Sequence, residues 1–160
     1  MNSQAVAGRK KMPDPVFMLD TSCMVAVVSA WHDHHLAASA EMEARLDRGE
    51  RLTVAAPTLI ETYAVLTRMP PPHRLSPADA WNLVEANFIR QGTIVALSSA
   101  ACSRLLRRLA KQQISGGRTY DAVIAECASR AQASTLLTLN SRHFDPPPPG
   151  VTVLDPSRSG

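Results

Sequence analysis

The sequence contains no apolar run that approaches the roughly 20 residues of a membrane-spanning helix. Its first 14 residues are polar, with consecutive basic side chains from Arg9 to Lys11, and no long apolar segment follows them. A secretory signal needs such a segment directly after its basic residues. We therefore expect no membrane span and no signal peptide, and we interpret residues 1–14 as a flexible tail.

Cysteine is also scarce, with only three in the chain. Cys23, Cys102 and Cys127 lie far apart and form no C-x-x-C pair. An odd number of isolated cysteines cannot build a closed disulfide framework, so the pattern favours a reducing compartment such as the cytoplasm. Each of them lies in an apolar, helix-like context, which predicts a packed thiol.

A strong charge imbalance is absent as well. The 17 Lys and Arg residues against 14 Asp and Glu give a formal net charge of +3. This excess permits a polyanionic partner without requiring one. With 160 residues, 45% of them hydrophobic, and no internal repeat, the chain suits one domain with a substantial core.

What the chain does contain is a regular alternation of apolar segments and helical patterns. Five short apolar segments are predicted as strands, at residues 16–19, 51–56, 93–97, 133–139 and 151–154. Six helices are predicted between or before them, at residues 22–30, 32–48, 57–69, 76–91, 98–113 and 120–132. This alternation predicts an α/β fold, with a mostly parallel five-stranded sheet and helices on both of its faces.

Three acidic side chains lie at the boundaries of these elements. Asp20 follows the first strand, Glu61 lies just after the second, and Asp121 lies in the first turn of the last helix. Asn140 follows the fourth strand. If these side chains meet at one edge of the sheet, an oxygen-bound Mg²⁺ or Mn²⁺ would offset their repulsion. The alternative is that each acid is an ordinary helix cap.

Four short motifs carry a family resemblance when they are taken in order. They are LDTS at 19–22, LIE at 59–61, YDAVIA at 120–125 and LTLNSRHF at 137–144. With these motifs the chain resembles PIN-domain ribonucleases, and among them the VapC toxins of type II toxin–antitoxin systems. The resemblance covers nearly the whole ordered chain, so we assign residues 15–156 to the PIN domain and residues 157–160 to a short C-terminal tail.

The resemblance implies a cytoplasmic, Mg²⁺- or Mn²⁺-dependent endoribonuclease. It implies a VapB-type antitoxin that keeps the enzyme inactive, an RNA substrate and a homodimer. The residues that match the metal-binding and catalytic acids of the family are Asp20, Glu61 and Asp121. Asn140 stands where many relatives carry a further Asp. The residues expected to orient the acids or to contact the substrate are Thr21, Ser22, Thr138, Asn140, Ser141, Arg118 and Arg142.

Several alternatives stay open at this point. The chain can be a catalytically silent PIN domain that binds RNA or protein, or a housekeeping RNA-processing nuclease with the same site. The basic side chains between Arg104 and Lys111 form either a solvated helix face or an RNA contact. Residues 32–35 (HDHH) form either a solvated helix start or a transition-metal site, and His143 is either a surface residue or a substrate contact.

Two expectations concern the surface. The few aromatic side chains, 4% of the chain, are expected in the core or against a partner, with base stacking as the alternative; Trp81, Val84, Phe88 and Ile89 in particular should face inward. An antitoxin segment is expected to pack on apolar side chains left exposed by the helices after Asp20 and around Glu61. These side chains are Met24, Val27, Val28, Tyr63 and Leu66.

Overall fold

The computed structural model describes residues 11–158, and its centre is a sheet of five strands. The strands are β1 (Val16–Leu19), β2 (Arg51–Ala55), β3 (Gly92–Val95), β4 (Thr135–Leu137) and β5 (Thr152–Leu154). They pair in the order β3-β2-β1-β4-β5, and every pairing is parallel. The predicted five-stranded sheet is confirmed.

Helices connect the strands and let each one enter the sheet in the same direction. They are α1 (Thr21–Val28), α2 (His35–Asp47), α3 (Ala56–Arg68), α4 (Pro77–Val84), α5 (Ser99–Lys111) and α6 (Arg118–Arg130). A π-helical turn, Glu85–Ile89, extends α4, and short 3-10 turns cover Ser141–Phe144 and Pro156–Arg158.

The central strand β1 is buried on both faces, and its side chains alternate between two hydrophobic cores. Phe17 and Leu19 pack into the core that α1, α2, α3 and α4 cover. Val16 and Met18 pack into the core that α6 covers on the other face. Helices therefore lie on both faces of the sheet, as predicted.

The expected antitoxin surface is wrong in its main members. Met24 is 0% exposed, Leu66 is 1% exposed and Val27 is 9% exposed, because all three pack into the core beneath α1 and α3. Val28 is half-buried, and Tyr63 is the only one of the five that is exposed. These side chains give no argument for a partner.

Two further burial predictions are wrong. Trp81 is 48% exposed, although Val84 and Phe88 on the same segment are buried as expected. Cys102 is exposed on α5, whereas Cys23 and Cys127 are the packed thiols that the sequence predicts. All three thiols are free.

The predicted tails fall partly outside the described residues, since residues 1–10 and 159–160 are not among them. Residues 11–15 are exposed and belong to no helix or strand, and the turn Pro156–Arg158 begins with a buried proline. Across residues 11–158, no helix is both long and apolar enough to cross a membrane. The domain boundaries stay a prediction.

Candidate active site

Asp20 directly follows β1 at the carboxyl edge of the sheet. Its backbone N–H donates to the Leu137 carbonyl of β4 at 3.0 Å, which fixes its position beside the end of that strand. Its side chain caps α1, because Oδ1 accepts a hydrogen bond from the Cys23 N–H at 3.0 Å. Asp20 is therefore a helix cap, the alternative role that its place in the sequence allowed.

Two hydroxyls fix the Asp20 carboxylate, which is only 6% exposed. Ser22 Oγ donates to Oδ1 at 2.6 Å, and Thr138 Oγ1 donates to Oδ2 at 2.5 Å. Each hydroxyl also accepts a backbone N–H from the segment after β4, from Leu139 at 3.0 Å and from Asn140 at 2.9 Å. The carboxylate is therefore oriented by α1 and by the segment after β4 together.

Glu61 lies on α3 and faces the start of α1. Thr21 Oγ1 donates to Glu61 Oε2 at 2.9 Å, at an exposed position. This bond holds the second acid next to the loop that carries Asp20.

Asp121 lies in the first turn of α6, as predicted. The helix begins at Arg118, two residues earlier than expected, with Gly117 at its N-cap position. Asp121 Oδ2 lies 3.6 Å from His143 Nδ1, which the short turn Ser141–Phe144 brings to α6.

These residues line one open cavity of about 890 Å³ at the carboxyl edge of the sheet. Of the predicted site residues, the cavity is lined by Asp20, Thr21, Ser22, Glu61, Arg118, Asp121, Asn140 and Arg142. Thr138 is 0% exposed and lies behind Asp20. Ser141 begins the neighbouring 3-10 turn and is not among the lining residues that the structure describes.

The buried Asp20 and the half-buried Asp121 are both harder to ionise than free carboxyl groups. Burial raises the pKa of Asp20, and the charge of Asp121 raises it further, whereas hydrogen bonds from Ser22 and Thr138 act in the opposite direction. Burial also raises the pKa of Asp121, and the charge of Glu61 adds to this, against the opposing effect of His143. A bound cation would offset the repulsion between these acids and favour their ionised forms, so the donor chemistry fits a hard divalent ion.

The acids do not form a ready-made cage. Among residues 11–158, no group of three or more Asp, Glu, His or Cys side chains is arranged so that it could hold a metal ion as it stands. Mg²⁺ usually keeps several waters and needs only one or two carboxylates from the protein. The close convergence of all three acids therefore stays a prediction, while their shared cavity is a structural fact.

Comparison with known proteins identifies the fold around this cavity. The sequence profile of the PIN domain family matches residues 17–146. The chain belongs to the PIN domain family. Ribonuclease VapC40 from Mycobacterium tuberculosis is 39% identical over 121 residues, which cover 73% of this chain and 81% of that protein. Ribonuclease VapC27 from the same organism is 34% identical over 131 residues, which cover 82% of this chain and 89% of that protein.

Solved structures share the PIN fold at low sequence identity. VapBC2 from Rickettsia felis, crystallised with a DNA fragment from their promoter, gives a TM-score of 0.63 at 17% identity, covering 88% of this chain and 98% of that chain. Mycobacterium tuberculosis VapC20, described as a sarcin-ricin loop cleaving toxin, gives 0.57 at 15% identity, covering 75% and 86%. These likenesses establish the fold of this PIN domain.

Three residues that contact the acids or line the cavity of this PIN domain were not predicted as site residues from the sequence. His143, which the sequence left open as a surface residue or a substrate contact, contacts Asp121. His32 and Tyr120 also line the cavity. Among the three, only Tyr120 could have been predicted, because it directly precedes Asp121 in the sequence. His32 belongs to a turn before α2, which begins at His35 rather than at residue 32.

A second groove leaves the acidic cavity along α5 and α6. It shares Arg118, Asp121 and His143 with the cavity and continues past Arg108 to the proline segment at residues 146–149. Arg108 is partly engaged, because it donates to Glu126 Oε2 on α6 at 3.0 Å. Of the basic side chains on α5, at least this one therefore lies beside a path that leads to the acids.

Proposed function

We propose that this PIN domain is the endoribonuclease toxin of a type II toxin–antitoxin system. The observation that carries the proposal is the buried Asp20 carboxylate, oriented by Ser22 and Thr138 in a cavity that also contains Glu61 and Asp121. The relatives named ribonuclease VapC, at 34% and 39% identity, support the same activity.

We further propose that Asp20, Glu61 and Asp121 hold Mg²⁺ or Mn²⁺. Such an ion would lower the pKa of a water molecule and offset the charge that develops on a phosphodiester. Asn140 lines the same cavity but brings an amide in place of a carboxylate, so it adds no charge toward a second ion.

The chain's own residues have separable tasks in this proposal. Ser22 and Thr138 keep the Asp20 carboxylate in one orientation. Arg118 and Arg142 line the cavity and are placed to contact RNA phosphates, which supply affinity without selecting a sequence.

The proposed partner is a VapB-type antitoxin. The solved structures with this fold include a VapBC pair from Rickettsia felis and a VapBC-1 pair from nontypeable Haemophilus influenzae. We also propose a homodimer and a cytoplasmic location, where an RNA substrate and free thiols are both expected.

The deciding experiment uses Asp20→Asn in the antitoxin-free protein. The substitution keeps the size of the side chain and removes one charge, so RNA cleavage should fall at least about 100-fold while the far-UV circular dichroism spectrum is retained. Wild-type cleavage should stop in EDTA and return with Mg²⁺ or Mn²⁺. Asp47→Asn, at an exposed position at the end of α2, removes the same charge away from the cavity and should cleave normally.

The alternatives predict other outcomes. A silent binding domain would bind RNA without cutting it under any of these conditions. A housekeeping nuclease would cut RNA in the same metal-dependent way, but its expression without an antitoxin would not stop growth. Cleavage that persists in EDTA, or full activity of Asp20→Asn, would contradict the proposed site.

A further inference from the structure

A second pocket, of about 440 Å³, adjoins the acidic cavity and shares no lining residue with the groove along α5 and α6. The two share Ser22, His32 and Asn140 as lining residues. Ser22 Oγ is itself 2.6 Å from Asp20 Oδ1, so the wall between pocket and cavity contacts the central acid. A group bound in the pocket therefore lies next to a group that reacts at the acids.

Trp31 is the aromatic side chain of this pocket. It lies in the turn between α1 and α2 and is 43% exposed. Its ring stacks on His73, from the loop before α4, with 4.1 Å between the ring centroids and 25° between the planes. The indole is thus held between two separate loops while a large part of it stays open to solvent.

The rest of the pocket is mostly polar. Its other lining residues are Ser22, His32, Asp33, His34, Leu139 and Asn140. His32 Nδ1 accepts the backbone N–H of His34 at 3.1 Å, which places the proton of a neutral ring on Nε2. Burial lowers the pKa of His32, so the neutral ring with one N–H donor predominates near neutral pH.

We propose that Trp31 is a stacking platform for an unpaired RNA base adjoining the scissile phosphate. Single-stranded RNA is recognised by stacking its bases on aromatic rings and by hydrogen bonds to their edges, and this pocket offers an indole among polar side chains. A protein partner is less favoured, because most side chains around Trp31 in the pocket are polar or charged, and charged side chains are depleted at interface cores. The inference rests on the proposed ribonuclease function.

The positions of the pocket, the cavity and the groove also define the direction in which the RNA strand would bind. The base would lie beside Trp31, the phosphate beside Asp20, and the continuing strand beside Arg118 and Arg108 in the groove along α5 and α6. Double-stranded RNA cannot present an unstacked base, so the proposal names single-stranded segments as the substrate class.

The test is a set of RNA oligonucleotides that the wild type cleaves, each with an abasic ribonucleotide at one position near the cut. At one position the loss of the base should lower kcat/KM by about 5- to 150-fold, the range measured for base–aromatic stacking. Trp31→Ala should show the same loss on the intact RNA and no further loss at that abasic position. Trp31→Phe should recover most of the activity.

The chain offers a matched control, because its only other tryptophan, Trp81, is similarly exposed on α4. Trp81→Ala should cleave every substrate like the wild type. The platform would be overturned if Trp31→Ala cleaved intact RNA like the wild type. It would also be overturned if each abasic substrate lowered kcat/KM equally in the two proteins.

Binding separates this inference from the ribonuclease proposal. In an Asp20→Asn protein that also carries Trp81→Phe, the emission of Trp31 alone is observed, and short single-stranded RNA of random sequence should quench it. Duplex RNA should not. Absence of cleavage by the wild type would reject the nuclease, whereas absence of quenching would reject the platform. A Trp31→Ala protein that loses antitoxin binding but cleaves RNA normally would assign Trp31 to the protein partner instead.

Discussion

At the scale of single residues, the hydrogen bonds to Asp20 show how many acceptor sites its carboxylate has left. A carboxylate has about four acceptor sites, two on each oxygen. Oδ1 uses both, for Ser22 and for the Cys23 N–H, and Oδ2 uses one for Thr138. One site on Oδ2 remains for a cation. Helix cap and proposed ligand are therefore compatible, because they use different oxygens of one side chain.

The amide at residue 140 leads to a residue-scale prediction. Asn140→Asp adds a carboxylate to the lining of the acidic cavity, so Mg²⁺ affinity should rise by about tenfold, equivalent to about 1.4 kcal/mol. Without metal the added charge should lower the unfolding temperature, because it repels the neighbouring acids. Calorimetric titration with Mg²⁺ and thermal unfolding in EDTA measure the two effects.

The control for Asn140→Asp is Asn82→Asp, which adds the same charge on an exposed part of α4. It should change neither quantity. If both variants bound Mg²⁺ like the wild type, residue 140 would have no part in the metal site.

At the scale of elements, α3 shows how far the sequence pattern predicts the fold. The limits of the helix follow from Pro57 in its first turn and from the prolines after Met69. The sequence pattern does not predict which face of α3 is buried. Thr58 and Thr62 are both 0% exposed, whereas Ile60 is 71% exposed.

The two threonines of α3 can be buried because their hydroxyls find partners. Thr58 Oγ1 donates to the Ala55 carbonyl at 2.7 Å, and Thr62 Oγ1 contacts Met24 Sδ at 3.8 Å. A hydrophobicity pattern cannot show such partners. Asp20 and Asp121 were predictable from their places after a strand and in the first turn of a helix, but the contact of His143 with Asp121 depends on a loop that only the folded chain defines.

The packing of α5 against α6 leads to a prediction about pH. Glu126 of α6 accepts from Arg108 of α5 at 3.0 Å and pairs with Arg130 at 3.1 Å, and hydrogen bonding to Arg108 is the main cause that lowers its pKa. The unfolded chain therefore binds more protons here than the folded one. The resulting stability is present above the ordinary value of 4.5 and is lost as the pH falls through the lower folded pKa.

Glu126→Gln should therefore lower the free energy of unfolding near pH 7 by about 0.5–1 kcal/mol, a small value because the arginines are partly exposed. The difference from the wild type should shrink as the pH falls through the lower folded pKa, and it should vanish once Glu126 is protonated in both states. Urea unfolding at several pH values measures this, with Glu43→Gln on the exposed side of α2 as the matched control. A difference that stayed constant with pH would assign the effect to packing rather than to charge.

At the scale of the whole molecule, the cavity is placed where the fold leaves the sheet edge open. The two cores cover both faces of the sheet, and residues that follow β1 and β4 meet residues of α1, α3 and α6 at its carboxyl edge. The same arrangement concentrates acids whose ionisation the folded chain disfavours. Folding and cation binding should therefore be coupled.

This coupling gives the last prediction, on the metal dependence of stability. The raised pKa values of Asp20 and Asp121 mean that the folded protein holds more protons than the unfolded one above the ordinary value of 3.8, so its stability in EDTA should fall as the pH rises through that window. Mg²⁺ binds the ionised carboxylates and should reverse the loss.

At about 100 times its Kd, Mg²⁺ should add about 2.7 kcal/mol to the free energy of unfolding, or raise the unfolding temperature by about 5–10 °C. The rise should be larger above the raised folded pKa values than within that window, because protons compete with the ion at the lower pH. Thermal unfolding with and without Mg²⁺ measures it, and the double variant Asp20→Asn, Asp121→Asn should show no rise. An equal rise in that variant would place the Mg²⁺ elsewhere on the protein, and no rise in the wild type would contradict a metal at these acids.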